Sequence, residues 1–297
     1  MAIDDTRRQS VRGYSPRSSE GTKTIFFRAL MHLFLGFWAL VVIFPMVWVL
    51  YTSLKTDQEI FFSPWSFPKV VQWGNFARAW TKAHIGQYFF NSLVVVVPSL
   101  ILTLLLSAMS AYVLARFPFP GNRAVLYLFI SGMMFPVFLG LVPLFFLLQK
   151  MTLLNTFPGL ILVYISYSLP FTIFFLTGFF RTLPSALHES AIVDGASQYT
   201  IFFSIMLPLA QPGLITVGVF NFLGMWNQFI LPFALMSDSK KYVLTQGLAY
   251  IRHQQYYLND WSALFAAVVL IMVPTLIVYV LFQGQIQQGL TVGALKG

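Results

Sequence analysis

Apolar runs alternate with short polar stretches along most of the chain. Six runs, at about 29–51, 89–112, 125–148, 157–180, 209–237 and 263–282, contain no Lys, Arg, Asp or Glu. Each reaches the ~20 residues with which an α-helix crosses about 30 Å of hydrocarbon. A charge at mid-membrane costs roughly 2.5–3.5 kcal/mol on the insertion scale, which accounts for the missing charges. The pattern predicts an all-α polytopic membrane protein with six transmembrane helices.

The connections differ in character. The first, about 52–88, holds FFSPWSFPKVVQWGNFARAW, whose Pro and Trp residues suit a segment lying at the membrane interface. The second, ARFPFPGN (Ala115–Asn122), must turn sharply, and the third, around Gln149–Thr156, is short enough to make spans three and four antiparallel neighbours. The fifth, about 238–262, reads as a solvated polar loop with four tyrosines.

The fourth connection, about 181–208, is too polar to insert and too periodic for slack loop. It predicts two short helices. The first starts at Pro184 and Ser185, runs through Glu189, Ala191 and Val193, and stops at Asp194-Gly195, where Gly accepts a positive φ and Asp194 bonds its own backbone. Ser197 caps the second, which carries Tyr199, Phe202, Phe203 and Ile205 and is ended by Pro208. The small residues Ala186, Ser190, Ala191 and Ala196 near the bend leave room for close approach. On residue physics alone the segment is either a surface connector or a docking elbow.

Composition agrees with the bilayer as solvent: 58% of residues are hydrophobic and 9% charged. The net charge of +9 comes from basic residues scattered over tails and loops, not gathered in a stripe, which argues against nucleic acid. Arg7, Arg8, Arg12, Arg17, Lys23 and Arg28 precede the first span, and Arg116 and Arg123 flank the second connection, so the positive-inside rule places the N-terminus, and after six spans the C-terminus, in the cytoplasm. Residues 1–24 read as a mobile polar tail, 25–283 as a six-helix transmembrane domain containing the elbow at 184–208, and 284–297 as a cytoplasmic tail.

Catalytic chemistry is sparse. There is no cysteine, the four histidines are far apart, and no GxxxxGK[ST] phosphate loop occurs, so no catalytic, cofactor or metal residue is assigned. In the fifth span Asn221, Trp226, Asn227 and Gln228 need partners or a water-filled path. They suit either contact with a sugar along a translocation path or hydrogen bonding between helices.

The elbow resembles the E-A-A signature of the inner-membrane permease subunits of ATP-binding-cassette importers: E-A-A, three residues, G, nine residues, I, one residue, L-P. Glu189, Ala191, Gly195, Ile205, Leu207 and Pro208 stand in register, with Ser190 in place of the first Ala. ARFPFPGN, GMWNQFILPFAL (Gly224–Leu235) and the terminal GLTVGALKG (Gly289–Gly297) resemble the carbohydrate-uptake branch, in particular the maltose-type second permease subunit. The resemblance implies a type I ABC importer permease fold in a bacterial inner membrane, paired as a heterodimer with a second homologous permease. It implies two ATPase subunits that use ATP and Mg, an extracytoplasmic sugar-binding protein and surrounding membrane lipid as partners, and no cofactor bound by this chain. It makes the elbow a coupling helix in which Glu189, Ser190, Ala191, Asp194, Gly195, Ala196, Ile205, Leu207 and Pro208 meet the ATPase, with Glu189 as the contact residue and Asp194 holding the bend. It also implies that the last residues reach the ATPase dimer interface, that the fifth connection meets the binding protein, and, by overall likeness, that the sugar is N-acetylglucosamine or chitobiose.

Two other classes fit less well. An ion-coupled secondary sugar transporter usually carries ionisable residues inside its spans, and here the six runs hold no Asp, Glu, Lys or Arg and a single histidine, His32, near the start of the first. A polytopic enzyme of lipid-linked sugars needs carboxylates or histidines converging at the surface, and Glu189 and Asp194 already belong to the signature.

Overall fold

The structure is a computed structural model that describes residues 20–258 and 260–294, with side chains over 24–253 and 260–286. The tail expected at 1–24 lies outside the described residues up to 19, as do the last three residues of the C-terminal tail. Among the described residues there are helices and loops and no strand. The chain forms two units, residues 1–48 and 49–297. Most of α1 (Glu20–Thr52) lies in the first; its apolar stretch, Thr24–Thr52, is 29 residues long, enough to span hydrocarbon.

In the second unit, α2 (Asp57–Phe62) and α3 (Gly74–Thr81) occupy the first connection. Next come α4 (Ile85–Arg116), α5 (Asn122–Met133), α6 (Val137–Lys150) and α7 (Phe157–Thr182). The elbow is α8 (Ser185–Val193) and α9 (Gln198–Leu209), followed by α10 (Gln211–Trp226), α11 (Ile230–Leu235), α12 (Leu244–Leu258) and α13 (Trp261–Ala294).

Helices α4 and α7 pack along their lengths. The buried face of α4 carries Ser92, Ser99, Thr103, Ser107, Ala108 and Ala111, and that of α7 carries Ser168, Thr172 and Thr177. Small side chains let helices approach closely in lipid, where no hydrophobic gain separates one apolar surface from another. Several hydroxyls bond the carbonyl four residues back, Ser99 to Val95, Thr172 to Ser168 and Thr177 to Ile173, so they are satisfied without a partner helix. Two cores bracket this seam. One, at the start of α4, includes Tyr88, Trp226, Leu244 and Ile251; the other, at its end, includes Tyr112, Phe180, Ala191 and Phe202.

Four helices are long and apolar enough to cross a membrane, and up to six spans result if each of two bent helix pairs counts as one. The third expected span is not continuous: α5 and α6 are bent by 99° at a break over residues 134–136. Pro136 has no N–H and disfavours helix at Phe135, and the last turn tightens, Met134 N bonding Ser131 O at 3.1 Å. The fifth, expected as one run over 209–237, stops at Trp226 and restarts at Ile230. The fifth connection is no solvated loop either, since Leu244, Gln246 and Ile251 of α12 are buried. At the C-terminus, α13 continues as helix to Ala294, past position 284 where a tail was expected.

Candidate functional site

The elbow is fixed by its own sequence before anything packs on it. Helix α8 ends in a Schellman motif: Gly195 has φ +76, its N–H bonds Ile192 O at 3.0 Å, and Ala196 N bonds Ala191 O at 3.0 Å. A Cβ at Gly195 would meet nothing within 4 Å, so the requirement for glycine is conformational. The bend is thus closed by backbone bonds; the Asp194 carboxylate, expected to hold it, is exposed and takes no part in them. Ser197 caps the second helix, its Oγ accepting from Thr200 N at 3.2 Å.

Pro208 does not end that helix, contrary to the sequence expectation. Residues Ile201–Met206 form a π turn, in which Leu207 N bonds Phe202 O, and the helix continues to Leu209. The wider i→i+5 turn relieves the clash between a proline ring and the carbonyl four residues before it. The chain then turns at Ala210, and α9 and α10 meet at 72°.

Of the signature residues, Glu189, Ser190, Asp194 and Pro208 are exposed, Ala196, Ile205 and Leu207 are half-buried, and Ala191 is buried in the core with Tyr112 and Phe202. The alanine therefore seats the elbow, and does not leave room for a partner there. Glu189 belongs to neither of the ion pairs found among the described residues. The same two helices expose large side chains that the motif does not name, Val193 at 86% and Tyr199 at 77% exposure, with Leu187 and Ile192. An elbow that exposes a carboxylate and several large apolar side chains has the makeup of a partner-binding surface. Their apolar character was legible in the sequence; their outward direction was not.

A cleft of about 400 Å³ lies between α5, α7 and α10, lined by Met133, Tyr164, Tyr167, Ser168, Asn221 and Gln228 among others. Two of the four path candidates, Asn221 and Gln228, reach it. Trp226 does not: it is buried, stacked on Phe222 with ring centroids 5.5 Å apart, and its indole N–H points to Ile271 O at 3.4 Å. The exposed Asn227 bonds Leu223 O in its own helix at 2.9 Å.

Gln228 explains the helix break. Its Oε1 accepts from Ile230 N at 3.2 Å and its carbonyl from Thr245 Oγ1 at 2.7 Å; Pro232 could not have supplied an N–H to that carbonyl. Tyr164, Tyr167 and Ser168 were missed, because α7 is apolar nearly throughout and only the fold shows which of its faces meets the cleft.

At the opposite end of α4 a polar network ties the first connection to the start of α13. Arg78 makes a forked ion pair with Asp260, Nε to Oδ2 at 3.0 Å and Nη2 to Oδ1 at 3.1 Å. Asp57 Oδ1 accepts from Ser262 N and Oγ at 2.7 Å each. Burial tends to raise the Asp260 pKa, but hydrogen bonds from Arg78 and Ala263 N, with the charges of Arg78 and Lys82, hold it below the usual carboxylate range. Lys55 is fully buried, donating to Ser63 O and Pro64 O at 2.9 Å each over the Tyr51 ring, and this burial pushes its pKa down against the opposing pull of Glu59.

Known proteins share this architecture. The family described as binding-protein-dependent transport system inner membrane component matches residues 103–292. The diacetylchitobiose uptake system permease protein NgcG of Streptomyces coelicolor is 53% identical over 270 residues, 91% of this chain and 89% of that protein. The trehalose transport system permease protein SugB of Mycobacterium tuberculosis is 30% identical, over 85% of this chain and 92% of its own. A solved bacterial ABC transporter involved in the import of the acidic polysaccharide alginate has the same fold, with a TM-score of 0.78 at 20% identity over 91% of this chain and 99% of its own. With its elbow built on the signature residues, its helical bundle in the same fold, and these matches over most of its length, the chain belongs to the family of inner-membrane components of binding-protein-dependent transport systems.

Proposed function

We propose that the chain is a permease subunit of an ATP-driven sugar importer, half of a heterodimer in a bacterial inner membrane with both termini in the cytoplasm. It works with two ATPase subunits that consume ATP and Mg and with an extracytoplasmic binding protein. The observation that carries this reading is the elbow: a helix–turn–helix closed by backbone bonds that exposes Glu189 together with Leu187, Val193 and Tyr199. A carboxylate there can pair with a basic side chain in a partly desolvated cleft of the ATPase, while the apolar neighbours exclude water. Closure of the ATPase dimer would then move α8 and α9 together and change access to the path.

The substrate class is an amino-sugar disaccharide of the diacetylchitobiose kind, supported by the NgcG relative. The cleft suits such a ligand: Tyr164 and Tyr167 offer aromatic surface to a sugar's C–H face, and Ser168 and Gln228 offer hydroxyl and amide groups. The buried polar side chains between the ends of α4, α7 and α10 are hydroxyls and Asn221, with no carboxylate among them to couple a proton or sodium ion.

The test is to purify the chain with its membrane partners and measure uptake of labelled diacetylchitobiose in proteoliposomes. An ATPase subunit should accompany the wild type, and Glu189→Ala should abolish uptake while the protein stays folded in the membrane. Uptake that survives ATP depletion, or that Glu189→Ala leaves intact, would sink the reading.

A further inference from the structure

The elbow accounts for residues 184–208 but leaves the ARFPFPGN connection, Ala115–Asn122, without a role. That connection packs against the elbow. Between α7 and α8 stand Leu183 and Pro184 alone, both extended, with ψ 144 and 127. Two extended residues make a hinge, and a push on α8 would turn it about that hinge and leave α7 in place.

Arg116, the last residue of α4, fastens the hinge to α7. Its Nη2 donates to Phe180 O, inside α7, at 2.9 Å, and to Leu183 O, in the hinge, at 2.7 Å. These bonds are charge-assisted and meet the negative end of the α7 dipole. The adjoining Nε is buried and meets no acceptor among the described residues.

On the far side of the hinge, buried His188 of α8 sets its ring against Tyr112 and Phe117, with centroids 5.9 Å away in each case. The connection has its own staple. Gly121 takes φ +88, and Asn122 Nδ2 donates to Leu114 O at 3.2 Å and Phe117 O at 2.9 Å.

We propose that Ala115–Asn122 is a bracket for the elbow and that Arg116 is its positioning residue. By bonding α7 and the hinge it ties both to the end of α4, where Tyr112 and Phe117 hold α8 through His188, so the four move as one body. Displacement of the elbow is then delivered along α4, a helix of 32 residues, to the core at its other end, and is not lost in rotation at Leu183 and Pro184. The proposal rests on the reading of the elbow as the ATPase-docking element, and it assigns the coupling of that element to a residue outside the signature.

The experiment reconstitutes the complete importer, with ATPase subunits and binding protein, and measures sugar taken up and ATP hydrolysed in the same vesicles. Arg116→Gln should retain its ATPase subunits in wild-type proportion and hydrolyse ATP, yet move about tenfold less sugar per ATP, the scale of one lost charge-assisted bond. Arg116→Lys, which keeps the charge but not the fork, should fall between, and Asn122→Ala should shift the ratio the same way by less. An unchanged ratio in Arg116→Gln overturns the proposal, as does a loss of uptake matched by loss of bound ATPase subunits, which would make Arg116 a folding residue. Failure of the docking reading shows separately, as a wild-type chain that carries no ATPase subunit.

Discussion

The Nδ2 of Asn221 donates to the Oγ1 of Thr172 at 2.8 Å, so an amide at the wall of the cleft is also a bond between α10 and α7. The side chain of Gln228, also on the cleft wall, accepts from Ile230 N in its own stretch of chain. Asn221→Leu should therefore lower thermal stability in detergent, by about 0.6 kcal/mol if it behaves like an average interhelical hydrogen bond in a membrane. Gln228→Ala should raise the KM for sugar in reconstituted vesicles more than Asn221→Leu does. The reverse ranking would move the sugar path away from Gln228.

Gly195 has space around it but a backbone that other residues adopt with difficulty. Gly195→Ala should cost about 1–2 kcal/mol locally and misdirect the elbow, with less ATPase subunit recovered on co-purification. Gly195→Asn should lose less than Gly195→Ala, because Asn tolerates the left-handed region.

Two glycines in α7 separate steric need from helix propensity. A Cβ on Gly159 would sit 2.1 Å from Leu153 O, a backbone atom that cannot swing aside, whereas one on Gly178 meets nothing within 4 Å. Gly159→Ala should reduce the folded yield in membranes severely. Gly178→Ala should leave the yield unchanged and raise the thermal midpoint slightly, by the roughly 0.5–1 kcal/mol that Ala gains over Gly in a helix. Fluorescence-detected size exclusion of the two variants compares them directly.

The Arg78–Asp260 pair implies a direction of pH dependence. The folded-state pKa of Asp260 lies below its ordinary value, so the pair's contribution is complete above about pH 4 and is lost as pH falls through the folded value. Both side chains are about a third exposed, at 37% and 32%, which keeps the contribution within the ~1 kcal/mol of a surface pair. The thermal midpoint of the solubilised protein should fall between about pH 6 and about pH 3, and Asp260→Asn should start lower and fall less. Equal pH slopes in the two proteins would mean another carboxylate dominates.

Much of the fold could be read in advance because lipid imposes one rule on every span: backbone groups must be satisfied within the helix, and charges are costly. Four long helices and the elbow's Ser185, Gly195 and Ser197 signals follow from that rule and from local backbone chemistry. Three of the departures share one cause. Phe135 before Pro136, the π turn before Pro208 and the amide of Gln228 are each a local reply to a proline, and hydropathy cannot tell a proline that bends a span from one it absorbs. Pro98, Pro170 and Pro274 sit inside unbroken helices.

The sequence by itself determined the membrane habit, the position of the elbow and the family signature, since these depend on composition and short-range spacing. Tertiary structure alone decided that Ala191 faces inward while Glu189 faces out, that Trp226 belongs to a core and Tyr167 to the cleft, and that Arg116 closes on carbonyls 64 and 67 residues away. Those outcomes depend on which helix faces meet, and in a chain apolar on nearly every face the sequence carries little record of that choice.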